Sequence, residues 1–120
     1  MLYALYMQNR LGTIYDASID GLLPSAFFVR ADNLVEGRVD YYLTENDSRE
    51  VMNMTDPNEI LAYVEQHKKV FSSDFEYNEK LYGYTRNNRT CYRLGDRVVV
   101  CCTASDPDTR EIDFALVRKL

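Results

Sequence analysis

Residues 97–104, Arg-Val-Val-Val-Cys-Cys-Thr-Ala, are apolar at every position from Val98 to Cys102. Successive side chains of an extended chain point to opposite faces, so Val98, Val100 and Cys102 share one side and Val99 and Cys101 the other. A strand that is apolar on both faces has to be covered on both, either between layers or in a sheet that curls into a barrel.

The flanking segments read as short strands separated by turn residues. Strands over about 76–86, 89–94, 97–104 and 110–118 are joined by Asn87-Asn88, Gly95-Asp96 and Ser105-Asp106-Pro107-Asp108-Thr109, which predicts a C-terminal four-stranded meander. In the last strand Ile112, Phe114 and Leu116 alternate with Glu111 and Asp113, the pattern of a strand with one face on the core. Val39, Tyr41 and Leu43 alternate before Asn46-Asp47-Ser48, and Val51 to Met54 are expected to return as a hairpin. Over residues 1–35 the reading is of strands: an apolar Met1 to Met7, a strand at Thr13 to Asp16, and a turn at Ile19 to Pro24 leading into Ser25 to Arg30.

One helix is expected, from about residue 57 to 70. Asp56 can cap it, Pro57 suits the first helical position, Glu59 stands where a capping-box carboxylate reaches back, and Ile60, Leu61, Val64 and Phe71 form an apolar stripe. The predicted fold is therefore α+β: a predominantly antiparallel sheet or partly closed barrel packed on one main helix, as a single compact domain over residues 1–120. The 120-residue length and 46% apolar content suit one modest core.

The charge is unevenly distributed. Net charge is -5, and residues 1–60 carry four cations against ten carboxylates. Between Lys80 and Arg97 the chain turns basic, with Lys80, Arg86, Arg89, Arg93 and Arg97 facing only Asp96. An acidic chain of this kind does not read as a general DNA binder or a membrane-surface protein, both of which need a positive field. If Asn87-Asn88 forms a two-residue turn, Arg86 pairs with Arg89, Tyr84 with Cys91 and Tyr82 with Arg93. That register places Arg86, Arg89, Arg93, Tyr82 and Tyr84 on one face, as the candidate ligand- or partner-binding set. Guanidinium groups grip phosphate or carboxylate, and tyrosines stack on bases or bury against a partner. The competing reading makes the tyrosines core residues and pairs the arginines with the chain's own carboxylates.

No catalytic set emerges. His67 is the only histidine and has no evident partner, and the phosphate-loop, dinucleotide-fold and serine-hydrolase signatures are all absent from the sequence. The carboxylate groups Asp74, Glu76, Glu79 and Asp106, Asp108, Glu111, Asp113 match no calcium-loop spacing, so no metal or cofactor is expected. Cys91, Cys101 and Cys102 form an odd set without C-x-x-C spacing and read as buried thiols in a reducing compartment. Asn46, Asn53 and Asn88 stand in N-x-S/T triplets, which read as accidental because glycosylation requires a secretory route that the sequence does not indicate. No apolar run is long enough to span a bilayer, and Met1 to Met7 lacks the flanks of a signal peptide, so the expected location is cytoplasmic.

These observations lead first to a small noncatalytic binding protein, an inhibitor or accessory factor of phage or mobile-element type, that occupies a surface of a protein partner such as a nucleic-acid enzyme. The alternatives are a sequesterer of an anionic small ligand such as a nucleotide through the Arg/Tyr hairpin, and a small enzyme without a recognisable motif. Homo-oligomerisation stays open.

Overall fold

The computed structural model describes residues 10–87, 89–109 and 111–120, without the side chain of Thr90. The expected apolar segment Met1 to Met7 lies outside the described residues. The strands are β1 (Ile14–Leu22), β2 (Phe27–Ala31), β3 (Glu36–Tyr42), β4 (Lys69–Val70), β5 (Glu76–Asn78), β6 (Gly83–Arg86), β7 (Arg89–Arg93), β8 (Arg97–Asp106) and β9 (Glu111–Lys119). The helices are α1 (Glu45–Met52), α2 (Pro57–His67) and the single turn α3 (Phe71–Asp74).

Five strands close into a barrel. β1 pairs antiparallel with β2 and β8, β2 with β3, and β8 with β9, while β3 runs parallel to β9 and completes the circuit. The fold is thus mostly β, closed rather than partly closed, and not packed on one main helix, which corrects the α+β expectation. The predicted meander is also corrected. The segment 76–86 breaks into two strands around a turn where the Asn78 side chain accepts from the N–H groups of Lys80 and Leu81. β5, β6 and β7 then form a separate three-stranded sheet. β8 leaves that sheet because Gly95, at φ +89, turns the chain toward β1, where Gly95 and Asp96 exchange backbone hydrogen bonds with Ile19.

The two-sided apolar strand accounts for the layering. Val98, Val100 and Cys102 point into the barrel with Phe27, Val29, Val39, Phe114 and Leu116. Val99 and Cys101, with Ala115 and Val117 of β9, point outward beneath Val51 of α1 and Ile60 and Val64 of α2. One end of the interior is filled by rings from the insertion between β3 and β8: Phe71, Phe75 and Tyr84 are buried, and Tyr92 is half-buried against them. Gly37 lets β3 cross Phe114 closely, since a Cβ there would sit 2.4 Å from that ring.

The helix predicted from Asp56 is present. Asp56 accepts from Asn58 N–H, Pro57 opens the helix, and the chain leaves it at Lys68, where ψ is 145. The predicted return strand at Val51–Met54 does not form: Val51 and Met52 end α1, and Asn53 is its C-cap. Thr44 caps that helix by accepting from Asp47 N–H at 3.3 Å, and its hydroxyl donates to the Asp47 carboxylate at 3.0 Å. The sequence Thr44-Glu45-Asn46-Asp47 is a capping-box variant, and its local hydrogen bonds compete with the hairpin reading.

Candidate nucleic-acid interface

The outer face of β1–β2–β3 is built row by row from the register. Gly21 of β1 stands opposite Phe28 of β2, Phe28 opposite Arg38 of β3, and Arg38 opposite Asp113 of β9. Phe27 points inward and is fully buried, so its neighbour Phe28 must point out, and it is 40% exposed. Gly21 leaves the flank of the Phe28 ring open. Phe28, Gly37, Arg38, Asp40, Ile112 and Asp113 border a surface groove of about 590 Å³.

The arginines of this face, Arg30 and Arg38, and Arg97 on the adjoining β8 are already engaged. Arg30 binds Glu36 at 2.6 Å and reaches Asp20 at 3.5 Å, Arg38 binds Asp40 at 2.9 Å, and Arg97 forks onto both oxygens of Asp32 at 2.9 and 3.1 Å. Burial, reinforced by nearby Asp40 and Glu111, raises the Asp113 carboxyl above the usual carboxylate range. The face therefore offers an apolar ring among neutralised charges, with no surplus of positive charge.

A second concavity, of about 520 Å³, opens at the barrel end beside the insertion, where Arg49, Arg86, Arg118 and Lys119 surround Tyr42, Phe75 and Tyr92. The Arg86 guanidinium lies 5.5 Å from the Phe75 ring centre, and the Lys119 ammonium 6.0 Å from that of Tyr92. Tyr42 donates its hydroxyl to the Asp74 carboxylate. Burial first, and then Asp74, push the Tyr42 phenol up to about 12; burial likewise pushes Tyr92 up to about 12. Both rings stay neutral at physiological pH.

The five site residues read from the sequence do not share one face. Arg86 and Arg89 are paired as expected, but a bulge at Cys91 sets Tyr84 opposite Tyr92 and Gly83 opposite Arg93. Tyr84 consequently lies in the core, its hydroxyl bonded to the carbonyls of Leu23 and Ala26. Arg86 shares its side of the small sheet and reaches the mouth. Arg93 projects from the other side, where its backbone N–H is held by the Asp96 carboxylate at 2.9 Å. Tyr82 is 71% exposed in a turn, with φ +49, and Arg89 is exposed at the hairpin end.

His67 stacks on Tyr63 with ring centres 4.0 Å apart, and its Nδ1 lies 2.9 Å from the Tyr63 carbonyl oxygen. Among the described residues no group of three or more His, Cys, Asp or Glu is placed to hold a metal ion. Among them, too, no helix is long and apolar enough to cross a membrane. Phe28, Arg38, Arg49, Arg118 and Lys119 were not singled out from the sequence. Two signals were present: the inward-outward step at Phe27-Phe28, and the change from apolar to basic at Val117-Arg118-Lys119.

A closed five-stranded barrel with a helical connection between its third and fourth strands, a parallel closing pair and an outward aromatic ring on the second strand defines an oligonucleotide/oligosaccharide-binding (OB) type of barrel. No protein-family model matches the chain. It is 30% identical over 120 residues to ribonuclease R of Aquifex aeolicus (strain VF5), an alignment that covers 99% of this chain and 14% of that protein. Two structures of RNase R from Mycoplasma genitalium, the apo form and a complex with ribose-methylated single-stranded RNA, superpose with a TM-score of 0.61 at 15% identity. Each superposition covers 96% of this chain and 14% of the other, and at that identity the likeness shows the fold alone. The chain thus spans about one seventh of the length of the proteins it matches. These similarities correct the reading as an inhibitor of phage or mobile-element type: the similarity along this chain is to a stretch of ribonuclease R.

Proposed function

We propose that this chain is a single-stranded RNA-binding module of the OB type. The observation that carries the reading is Phe28, held outward on the β2–β3 face, beside a glycine and above a groove. OB barrels bind oligonucleotides on that face, and exposed aromatic rings there serve as stacking platforms. The similarity to ribonuclease R, and the single-stranded RNA in one Mycoplasma genitalium structure, support RNA as the ligand class. The net charge of -5 argues for recognition by stacking and shape over attraction by a general positive field. Arg86, singled out from the sequence, belongs to this reading as a cation at the barrel mouth; Tyr84 supports the fold from within.

The test is fluorescence anisotropy of a labelled single-stranded oligoribonucleotide against the same sequence in a duplex. Binding should favour the single strand. Phe28→Ala should weaken it by roughly 1–3 kcal/mol, the worth of one base stack, with an unchanged circular dichroism spectrum. Equal affinity for the duplex, or a Phe28→Ala variant indistinguishable from wild type, would refute the stacking role.

A further inference from the structure

The paired arginines of the β1–β2–β3 face leave a gap in the reading above. A strand whose bases stack on Phe28 still carries one negative charge per nucleotide, and the groove beside that ring has Asp40 and Asp113 at its edge. The cations Arg30, Arg38 and Arg97 each hold a carboxylate. Phosphate has to be met elsewhere on the molecule.

We propose that the barrel mouth between the insertion and the end of β9 is the phosphate-binding site of the module, gripping the backbone of the RNA strand whose bases lie against Phe28. This rests on the RNA-binding reading. Four cations, Arg49, Arg86, Arg118 and Lys119, line the mouth with one carboxylate, Glu45, while Asp74, which accepts from Tyr42, and Glu76 lie on the far side of Arg86. Among the described residues no carboxylate lies within salt-bridge distance of Arg86 or Arg118, and Arg49 meets Glu45 only at 3.8 Å on an exposed surface. Lys119 is the partly engaged member, 3.2 Å from Asp96 and donating to the Cys91 carbonyl at 3.0 Å.

The surroundings favour a phosphate. Phe75 and Tyr92 line the cavity, so an anion there gives up part of its water to aromatic walls, where guanidinium hydrogen bonds strengthen. Arg86 is held in place by its strand and by the Phe75 ring, so less side-chain freedom is lost on binding. The cavity volume falls within the range of sites for nucleotide-sized ligands. Both concavities also lie on one parallel pair: β3 and β9 run from Gly37 and Asp113 at the groove to the Tyr42 and Lys119 ends at the mouth. From Asp113 to Lys119 is roughly 20 Å of strand at about 3.3 Å per residue. That span fits the roughly 4–16 nucleotides that one OB barrel occupies.

The closing experiment measures binding of a labelled single-stranded oligouridylate across a series of KCl concentrations. Each lost phosphate contact should flatten the log-affinity against log-salt slope by about 0.7. Arg86→Gln/Arg118→Gln should therefore flatten it by about 1.4 and weaken binding at low salt by at least about tenfold. Phe28→Ala should weaken binding with its slope unchanged. Should the double variant misfold by circular dichroism, Arg118→Gln alone, on an exposed side chain, should flatten the slope by about 0.7. RNA binding with an unaltered slope in these variants would overturn the mouth as the phosphate site and leave the RNA reading standing. Hexaglutamate displacing RNA as well as an equally charged oligonucleotide would overturn it too, in favour of an acidic protein. Failure of wild type to bind RNA would sink the RNA reading. In that case the arginine Nε–H signals on titration with uridine monophosphate decide the rest: shifts at Arg86 and Arg118 would keep the mouth as a site for a free nucleotide, and their absence would remove it.

Discussion

Tyr84 offers the sharpest test of the architecture, because sequence register puts it on a binding face and the structure puts it in the core. Its ring meets Phe71 at 4.9 Å, Tyr77 at 5.7 Å and Phe27 at 5.8 Å between centres. Its hydroxyl is bonded to the Leu23 and Ala26 carbonyls and accepts from Leu23 N–H at 3.1 Å, tying the insertion to the β1–β2 turn. In Tyr84→Phe the Leu23 N–H keeps its bond to the Ala26 carbonyl at 2.8 Å, but the Leu23 carbonyl loses its phenol donor. One net hydrogen bond and one partly buried acceptor amount to about 1–2 kcal/mol. At this chain length that is a drop in Tm of about 3–6 °C per kcal/mol. Tyr84→Ala removes the ring and should cost about 3–5 kcal/mol, a large share of the roughly 5–15 kcal/mol that stabilises a typical domain.

Urea unfolding followed by circular dichroism reads both variants, and pH adds an independent check. Burial pushes the Tyr84 phenol up to about 12, above the value near 10 of an unfolded chain. Its contribution is therefore complete below about pH 10 and is lost as pH rises toward 12. The advantage of wild type over Tyr84→Phe should shrink across that window, while Tyr42 and Tyr92, common to both proteins, cancel. Unchanged stability in Tyr84→Phe together with lost RNA affinity would refute the core assignment and return the hydroxyl to a ligand.

Two further outcomes follow from packing. Burial pushes the thiols of Cys101 and Cys102 up to about 12, so iodoacetamide near pH 8 should label the native chain at half-exposed Cys91 alone and the urea-unfolded chain at all three; labelling of Cys102 in native protein would mean that the barrel opens. Gly37→Ala should destabilise by about 1–3 kcal/mol through overpacking, because the added Cβ would lie 2.4 Å from the Phe114 ring and 2.8 Å from the Ile112 carbonyl; an unaltered thermal melt would show slack in the β3–β9 contact.

Local chemistry was readable from the chain. Asp56-Pro57 marks the start of α2 because a cap and a fixed φ act over neighbouring residues. The run Val98–Cys102 announces two buried faces because the period of a strand is two. Alternation over 111–116 identifies the inward face of β9, with Phe114 and Leu116 in the barrel. Where two local signals compete, reading fails: Asn46-Asp47-Ser48 reads as the turn of a hairpin, but the Thr44–Asp47 capping hydrogen bonds start a helix there.

The rest depends on partners distant along the chain. Ile14 pairs with Cys101 and Val39 with Phe114 across long sequence separations, and only those ladders close the sheet into a barrel. Closure decides that the outer layer is shared by two helices, and that Tyr84 of the basic hairpin is buried in the core instead of joining its arginines. A single extra residue at Cys91 moves Tyr84 and Arg93 to opposite sides, since a shift of one in a ladder exchanges faces. The candidate interface is decided at the same level: Phe28, Arg38 and Asp113 are neighbours only across strands, and Arg86 meets Arg118 and Lys119 only at the barrel mouth. Residue order determines which side chains point the same way along one strand, whereas the set of charges that remains unpaired is settled by which strands come to lie side by side.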